Sequence, residues 1–330
     1  MAVTTGEPRL FRSSRAILGE SPVWDPGNLA GETVGDTGAD ALDDSAEGAL
    51  LWCDITAGLI HRSPLAGSPY GADDASISLP APVASFAPAE GGGFVVSLGD
   101  RVILTDDSGA EVAVLSTIDH LRDGLRLNEG KADPYGRWIT GSMVLTADDP
   151  ADPAAAVGAL YSIDTDGTQR VLRGGFGTAN GIEFSADGRS MYFTDTSVKT
   201  IYRGDYSESG ELTDVDVFHT GEMHDGLALD VEGYLWGGIY GGGRVVRYSP
   251  DGIEDLSIDL PAPNITSVVF GGPTLSTLFV MSARENLTEQ QLRENPLSGC
   301  IFAIDTSTRG YPVRLFGSTA TPSSAPRHRA

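Results

Sequence analysis

The sequence predicts an all-β fold, a six-bladed β-propeller, on three observations. Strand-like apolar triplets occur six times: Leu50-Leu51-Trp52, Gly93-Phe94-Val95, Arg137-Trp138-Ile139, Met191-Tyr192-Phe193, Tyr234-Leu235-Trp236 and Thr277-Leu278-Phe279. Their central residues, 51, 94, 138, 192, 235 and 278, are separated by 43, 44, 54, 43 and 43 positions. Turn formers bound the apolar runs throughout, with 42 glycines and 19 prolines, and no sustained 3.6-residue periodicity precedes Leu287. A repeat of roughly 40–50 residues holding about four strands is the mark of propeller blades. One such blade cannot bury both faces of its sheet, so neighbours pack radially and the ring closes. A sandwich also has many short strands, but it does not repeat at a fixed interval.

Each unit has its own punctuation. In the first, residues 28–48 form an acidic, Gly/Ala-rich insertion carrying Glu32, Asp36, Asp40, Asp43, Asp44 and Glu47, which reads as a solvated loop. The third, fourth and fifth triplets follow the turns Asp133-Pro134-Tyr135-Gly136, Ser185-Ala186-Asp187-Gly188 and Asp230-Val231-Glu232-Gly233. The single long gap contains the Asp/Pro/Ala run 148–156, a loop insertion. Outer hairpins follow, as in Ala159-Leu160-Tyr161-Ser162-Ile163-Asp164 and from Val245 to Gly252. Asn286 to Glu294 predicts one short helix, and the Ser/Pro/Ala-rich stretch 318–330 predicts a disordered tail. Six units fill residues 1–330, which therefore read as one domain.

Charge narrows the function classes. Lys+Arg 22 against Asp+Glu 46 gives a net charge of −24, opposite to what tracking nucleic-acid phosphates or docking on anionic membranes requires. No apolar run approaches the ~20 residues of a membrane-spanning helix. Residues 1–15 mix Glu7, Arg9, Arg12 and Arg15 with polar groups and lack a signal-peptide apolar stretch, so a cytoplasmic location is expected. Cys53 and Cys300 lie in apolar strand-like runs and read as buried, reduced thiols, unless strands from the two chain ends bring them together.

In a propeller the innermost strands line a central channel, so residues just ahead of each triplet meet at one mouth. Asn128 lies 10 residues before Trp138, Asn180 12 before Tyr192, and Asp225 10 before Leu235. Glu20 lies 31 before Leu51, which becomes the same phase once the acidic insertion is discounted. The other two units offer Ser267 and either Ala84 or Ser85. Two carboxylates and two amides are hard oxygen donors suited to a divalent cation such as Ca²⁺. Without one, the carboxylates repel and raise each other's pKa. Asn-Gly and Asp-Gly are also ordinary turn formers. It is their shared phase across units that points to a site. Arg126, two residues before Asn128 and on the same strand face, reads as a substrate-orienting group or as a partner for Glu129 or Asp123. Lys131 and His224 are placed at the same mouth. A Gly-x-Ser-x-Gly elbow, a His-Glu-x-x-His helix and a phosphate-binding glycine loop are all absent.

The segments Gly19-Glu20-Ser21-Pro22-Val23-Trp24, Arg126 to Arg137, Asn180-Gly181-Ile182, Asp225 to Asp230 and Gly242-Gly243-Arg244-Val245 resemble the SMP-30/gluconolactonase/regucalcin family, in order from about Gly19 to Phe316. The resemblance implies a six-bladed propeller that binds one divalent cation and hydrolyses sugar lactones. It implies metal ligands at Glu20, Asn180 and Asp225, substrate contacts at Arg126 and Asn128, and Asp225 as general base. Gly141-Ser142-Met143-Val144-Leu145 departs from the pattern: it is apolar where regucalcin-like members place an acidic residue that helps hold the sugar. The expected function is metal-dependent hydrolysis of a small-molecule sugar lactone, with Ca²⁺ foremost and Zn²⁺, Mn²⁺ or Mg²⁺ compatible with the same donors. Alternatives are hydrolysis of another ester or an organophosphate on the same scaffold, or a non-catalytic calcium-binding propeller.

Overall fold

The computed structural model describes residues 3–27, 48–145 and 156–319. The acidic stretch 28–48, except Gly48, lies outside them, as do most of the 148–156 insertion and the tail beyond Thr319. The described residues form six four-stranded antiparallel sheets. After β1 (Arg9–Arg12), blade one is β2 (Gly19–Asp25), β3 (Ala49–Asp54), β4 (Leu59–Pro64) and β5 (Ala75–Ser78). Blade two is β6 (Val83–Pro88), β7 (Phe94–Leu98), β8 (Arg101–Thr105) and β9 (Glu111–Thr117). Blade three is β10 (Leu125–Ala132), β11 (Trp138–Val144), β12 (Gly158–Ile163) and β13 (Gln169–Phe176). Blade four is β14 (Ala179–Phe184), β15 (Ser190–Asp195), β16 (Thr200–Tyr206) and β17 (Leu212–Thr220). Blade five is β18 (His224–Leu229), β19 (Leu235–Ile239), β20 (Arg244–Tyr248) and β21 (Glu254–Asp259). Blade six is β22 (Ile265–Gly271), β23 (Thr277–Ser282) and β24 (Ile301–Asp305), with α1 (Glu289–Glu294) inserted before β24.

The central residues of all six apolar triplets fall on the second strand of a blade, and the short helix forms where expected, capped by Thr288. The ring closes in a way the repeat does not announce. Blade six takes its outer strand from the beginning of the chain: β1 pairs with β24, Arg9 opposite Ala303, and Thr5 bridges Thr306. At the other end, residues after β24 cross the channel. Phe316 donates to Pro88 O and accepts from Glu90 N, Gly317 donates to Gly136 O, and Arg309 O accepts from Val231 N. This strap joins blades two, three and five. Among the described residues, no helix is long and apolar enough to cross a membrane.

The core lies between blades, where amphipathic side chains are buried with their polar ends satisfied. Trp52 donates to Ser63 Oγ at 3.1 Å, Trp138 to Ser97 Oγ at 3.0 Å and Trp236 to Asp230 Oδ2 at 3.0 Å. The turns ahead of the triplets of blades three and five carry a further device, a fully buried aspartate that organises its hairpin. Asp133 accepts from Tyr135 N and Arg137 N, both at 2.8 Å, from Arg137 Nε at 2.7 Å and from Tyr206 Oη at 2.7 Å. Asp230 does the same for Tyr234 N and for the Arg247 guanidinium, at 2.7 Å. Removing such an acceptor strands a buried cation and several donors. Asp133→Ala is therefore expected to lose about 3–5 kcal/mol of stability, read as a lower urea midpoint.

Candidate functional site

Every inner strand slips register once, near the end at which the chain enters it. The slips lie between Glu20 and Val23, Val83 and Ser85, Leu127 and Gly130, Asn180 and Glu183, His224 and Leu227, and Ile265 and Val268. A bulge of this kind bends the strand and re-aims its side chains. Glu20, Asn128, Asn180 and Asp225 all sit at these slips, and all are buried. The backbone beside them is unusual. Ser21 has φ +48° and Gly181 φ +43°, each directly after a predicted ligand. For a serine this left-handed conformation costs roughly 1–3 kcal/mol, strain of the kind that collects at functional sites. Glycine is required at 181 for a second reason: a Cβ there would run into the carbonyl oxygen of Asp225.

Hydrogen bonds tie three blades together at this level. Arg126 donates to Asn128 Oδ1 at 2.7 Å and to Leu127 O at 2.8 Å. Asn128 Nδ2 donates to Asn180 Oδ1 at 2.7 Å and to Ala179 O at 3.1 Å. Asn180 Nδ2 donates to Thr196 Oγ1 at 3.1 Å, and Thr196 donates to the backbone oxygen of His224 at 2.7 Å. The neighbouring inner strands are pinned as well, with Ser85 Oγ donating to Asn128 O at 2.7 Å and Thr266 Oγ1 to Gly19 O at 2.6 Å.

The carboxylates are held under electrostatic stress. Burial raises the Glu20 pKa well above its ordinary value, and Asp225 and Glu129 raise it further. Burial likewise raises Asp225, with Glu129 adding to the shift and Arg126 opposing it. Glu129 is pushed up to about 7 by burial, against the pull of Lys131. Asp225 Oδ1 is buried with no hydrogen-bond partner among the described residues. The mutually repelling carboxylates, the orphaned Asp225 oxygen and the amide oxygen of Asn180 are hard acceptors whose chemistry fits a divalent ion. The set is mixed: among the described residues, no three His, Cys, Asp or Glu side chains gather as a metal-holding group.

Two residues are not where the sequence reading placed them. Lys131 is not at the mouth. It reaches along the channel to Glu183 at 2.8 Å and Leu227 O at 3.2 Å, and Arg314 of the strap meets the same Glu183 at 3.3 Å. This cluster borders a cavity of about 90 Å³ between the bulges and the strap, lined also by Phe86, Leu227 and Phe270. His224 is not a rim residue either. It is fully buried, bonded through Nε2 to Tyr248 Oη at 2.7 Å, and pushed down to about 4, chiefly by burial. Of the three roles considered for Arg126, its hydrogen bonds point to Asn128 rather than to Glu129 or Asp123. Cys53 and Cys300 are free and buried, Cys53 lying opposite Glu20 in the sheet. Leu145 is exposed at the end of β11.

Sequence reasoning missed Thr196, Tyr240 and Glu285. Glu285 presses on Arg126 and Asp225 electrostatically, and Tyr240, pushed up to about 12 by burial, accepts from Asn286 Nδ2 at 2.9 Å. All three lie just past the second strand of blades four, five and six. Counting forward from the triplets, as well as backward, would have found them.

Comparison with known proteins places this geometry in context. The family model described as the SMP-30/Gluconolactonase/LRE-like region matches residues 18–284. A 6-deoxy-6-sulfogluconolactonase of Pseudomonas putida is 32% identical over 306 residues, covering 91% of this chain and 95% of that protein. The pentonolactonase XacC of Haloferax volcanii is 30% identical over 308 residues, covering 89% and 93%. Among solved structures, the calcium-binding protein regucalcin of Agrobacterium tumefaciens superposes with a TM-score of 0.78 at 25% identity, covering 95% of this chain and 98% of its own.

Proposed function

The chain belongs to the SMP-30/gluconolactonase/LRE-like family, and from that membership we propose that it hydrolyses a sugar lactone with a divalent cation at the channel mouth. The observations that support the reading are the burial of Glu20, Asn180 and Asp225 at the bulges of three inner strands and the repulsion between Glu20 and Asp225, whose Oδ1 has no partner among the described residues. Glu20, Asn180 and Asp225 would hold the ion. Ca²⁺ is the foremost candidate for donors that are all oxygen, and one structural relative is a calcium-binding protein. When bound, the ion supplies Lewis acidity to the lactone carbonyl and acidifies water.

The chain's own residues do the rest. Arg126 orients the lactone by donating to its carbonyl or ring hydroxyls and stabilises the negative charge that develops there, while Asn128, whose two amide hydrogens go to Asn180 and Ala179, meets a ring hydroxyl as an acceptor. Asp225 takes the proton of the attacking water on its unpartnered oxygen, a general-base contribution of roughly 10²–10⁴-fold. Leu145, exposed and apolar, leaves the sugar's hydroxyls to Arg126, Asn128 and the polar mouth.

The test is a pH-stat assay of metal-stripped protein with Ca²⁺, Zn²⁺, Mn²⁺ and Mg²⁺ added back in turn. Substrates would be aldonolactones set against aryl esters and organophosphates. Cation-dependent turnover confined to aldonolactones is expected. Preference for an aryl ester or organophosphate would replace the substrate class, and tight Ca²⁺ binding with no hydrolysis would reduce the site to a calcium site.

A further inference from the structure

The hydrogen-bond chain at the mouth has a direction that its two ends dictate. A guanidinium only donates, so Arg126 can meet only the oxygen of the Asn128 amide, at 2.7 Å, and the nitrogen of that amide must point onward. A carbonyl only accepts, so Thr196 spends its hydroxyl proton on His224 O, at 2.7 Å. Its oxygen can then only accept, and the group of Asn180 facing it at 3.1 Å must be the NH₂. Both ends therefore impose the same polarity on Asn180: nitrogen toward Thr196, oxygen toward Asn128. An amide turned by half a rotation would present two hydrogens where an oxygen donor is needed.

We infer that Thr196, at the start of the 3₁₀ turn Thr196–Val198, is a positioning residue that locks the Asn180 amide with its oxygen available to a cation. Thr196 does so through Asn180 and touches neither ion nor substrate. The inference rests on the cation site proposed above. It adds a residue that reaches the site from the loop after the second strand of blade four. The same hydroxyl also bonds the backbone one residue ahead of Asp225, so one side chain sets the spacing of two of the three proposed ligands. Outer partners of metal ligands typically change affinity by about 10–100-fold when removed. Because Asn128 holds the oxygen end of the amide independently, the lower end of that range applies.

The experiment uses the full chain as wild type, Thr196→Val, which keeps the branched shape without the hydroxyl, and Thr196→Ser, which keeps the hydroxyl. Calorimetric titration of metal-stripped protein with Ca²⁺ should show about tenfold weaker binding for Thr196→Val and near wild-type binding for Thr196→Ser. In parallel, ¹⁵N-asparagine spectra, with the Asn180 signal assigned through Asn180→Asp, should show its side-chain NH₂ shifted and exchanging faster in Thr196→Val alone. Equal Ca²⁺ affinity in all three proteins, or unchanged Asn180 signals in Thr196→Val, overturns the inference. So does an equal loss in both variants, which would make the effect one of packing. If wild type takes up no Ca²⁺, the functional reading fails by itself, and the spectra still decide the role of Thr196.

Discussion

Asp225→Asn is expected to lower kcat on an aldonolactone by about 10²–10⁴-fold at saturating cation while making the cation-free protein more resistant to heat. The two effects have one origin. Asp225 is buried against Glu129 and Glu20, with Arg126 offsetting part of the charge, so the folded chain carries it at a cost. An amide of the same shape keeps an oxygen at the site and removes the repulsion, but it cannot accept a proton from water. Stability and activity should therefore move in opposite directions, the trade expected where a site is built from mutually repelling groups. Saturating cation matters because the variant also loses a ligand charge, which raises the concentration needed for occupancy. Turnover within a few-fold of wild type under those conditions would remove Asp225 from the proton transfer.

Removal of the cation is the second large perturbation, and its signature is a stabilisation that grows with pH. In the cation-free protein Glu20, Asp225 and Glu129 all have raised pKa values, so the folded state binds more protons than the unfolded chain. A raised carboxylate does not weaken the fold below its unfolded value near ~4, and stability then declines as pH climbs to the folded value. For Glu129 that decline extends to about 7. His61, His120 and His224, which burial holds below the ordinary histidine range, act with the opposite sign. Taking the difference between cation-loaded and cation-free melting temperatures removes whatever part of this is common to both forms. That difference should be small near pH 5 and large near pH 8, rising with free cation as for any ligand that binds only the folded state. Turnover should vanish on exhaustive chelation across the whole range. A difference that is flat with pH would mean that the carboxylates do not face the ion.

The parts of this fold that repeat were legible in the sequence, because each blade must solve the same packing problem with the same alternation of strand and turn. Counting back from the triplets located Glu20, Asn128, Asn180 and Asp225 on bulges of four different inner strands. What did not repeat was hidden. The strand Arg9–Arg12 is four residues long, shows no period of its own, and becomes a strand only because β24 offers it an edge. His224 was misplaced because it is one residue from Asp225, and alternation along a strand sends neighbours to opposite faces. Lys131 failed for distance: three residues past Asn128, it lies about 10 Å further along a strand, beyond the mouth. Thr196 was invisible since a lone threonine after a strand has no signature until its partners are known.

The pairing of Arg9–Arg12 with Ile301–Asp305 also has a consequence for how the molecule is made. β1 precedes every other described strand, yet the last blade requires it. The other five sheets can assemble in order during synthesis, but the sixth stays incomplete until β24 follows. Through that interval β1 has no partner, and the unpaired strand invites association between nascent chains. Deletion of β1, or a fusion that blocks its pairing, should thus be felt as lost soluble yield.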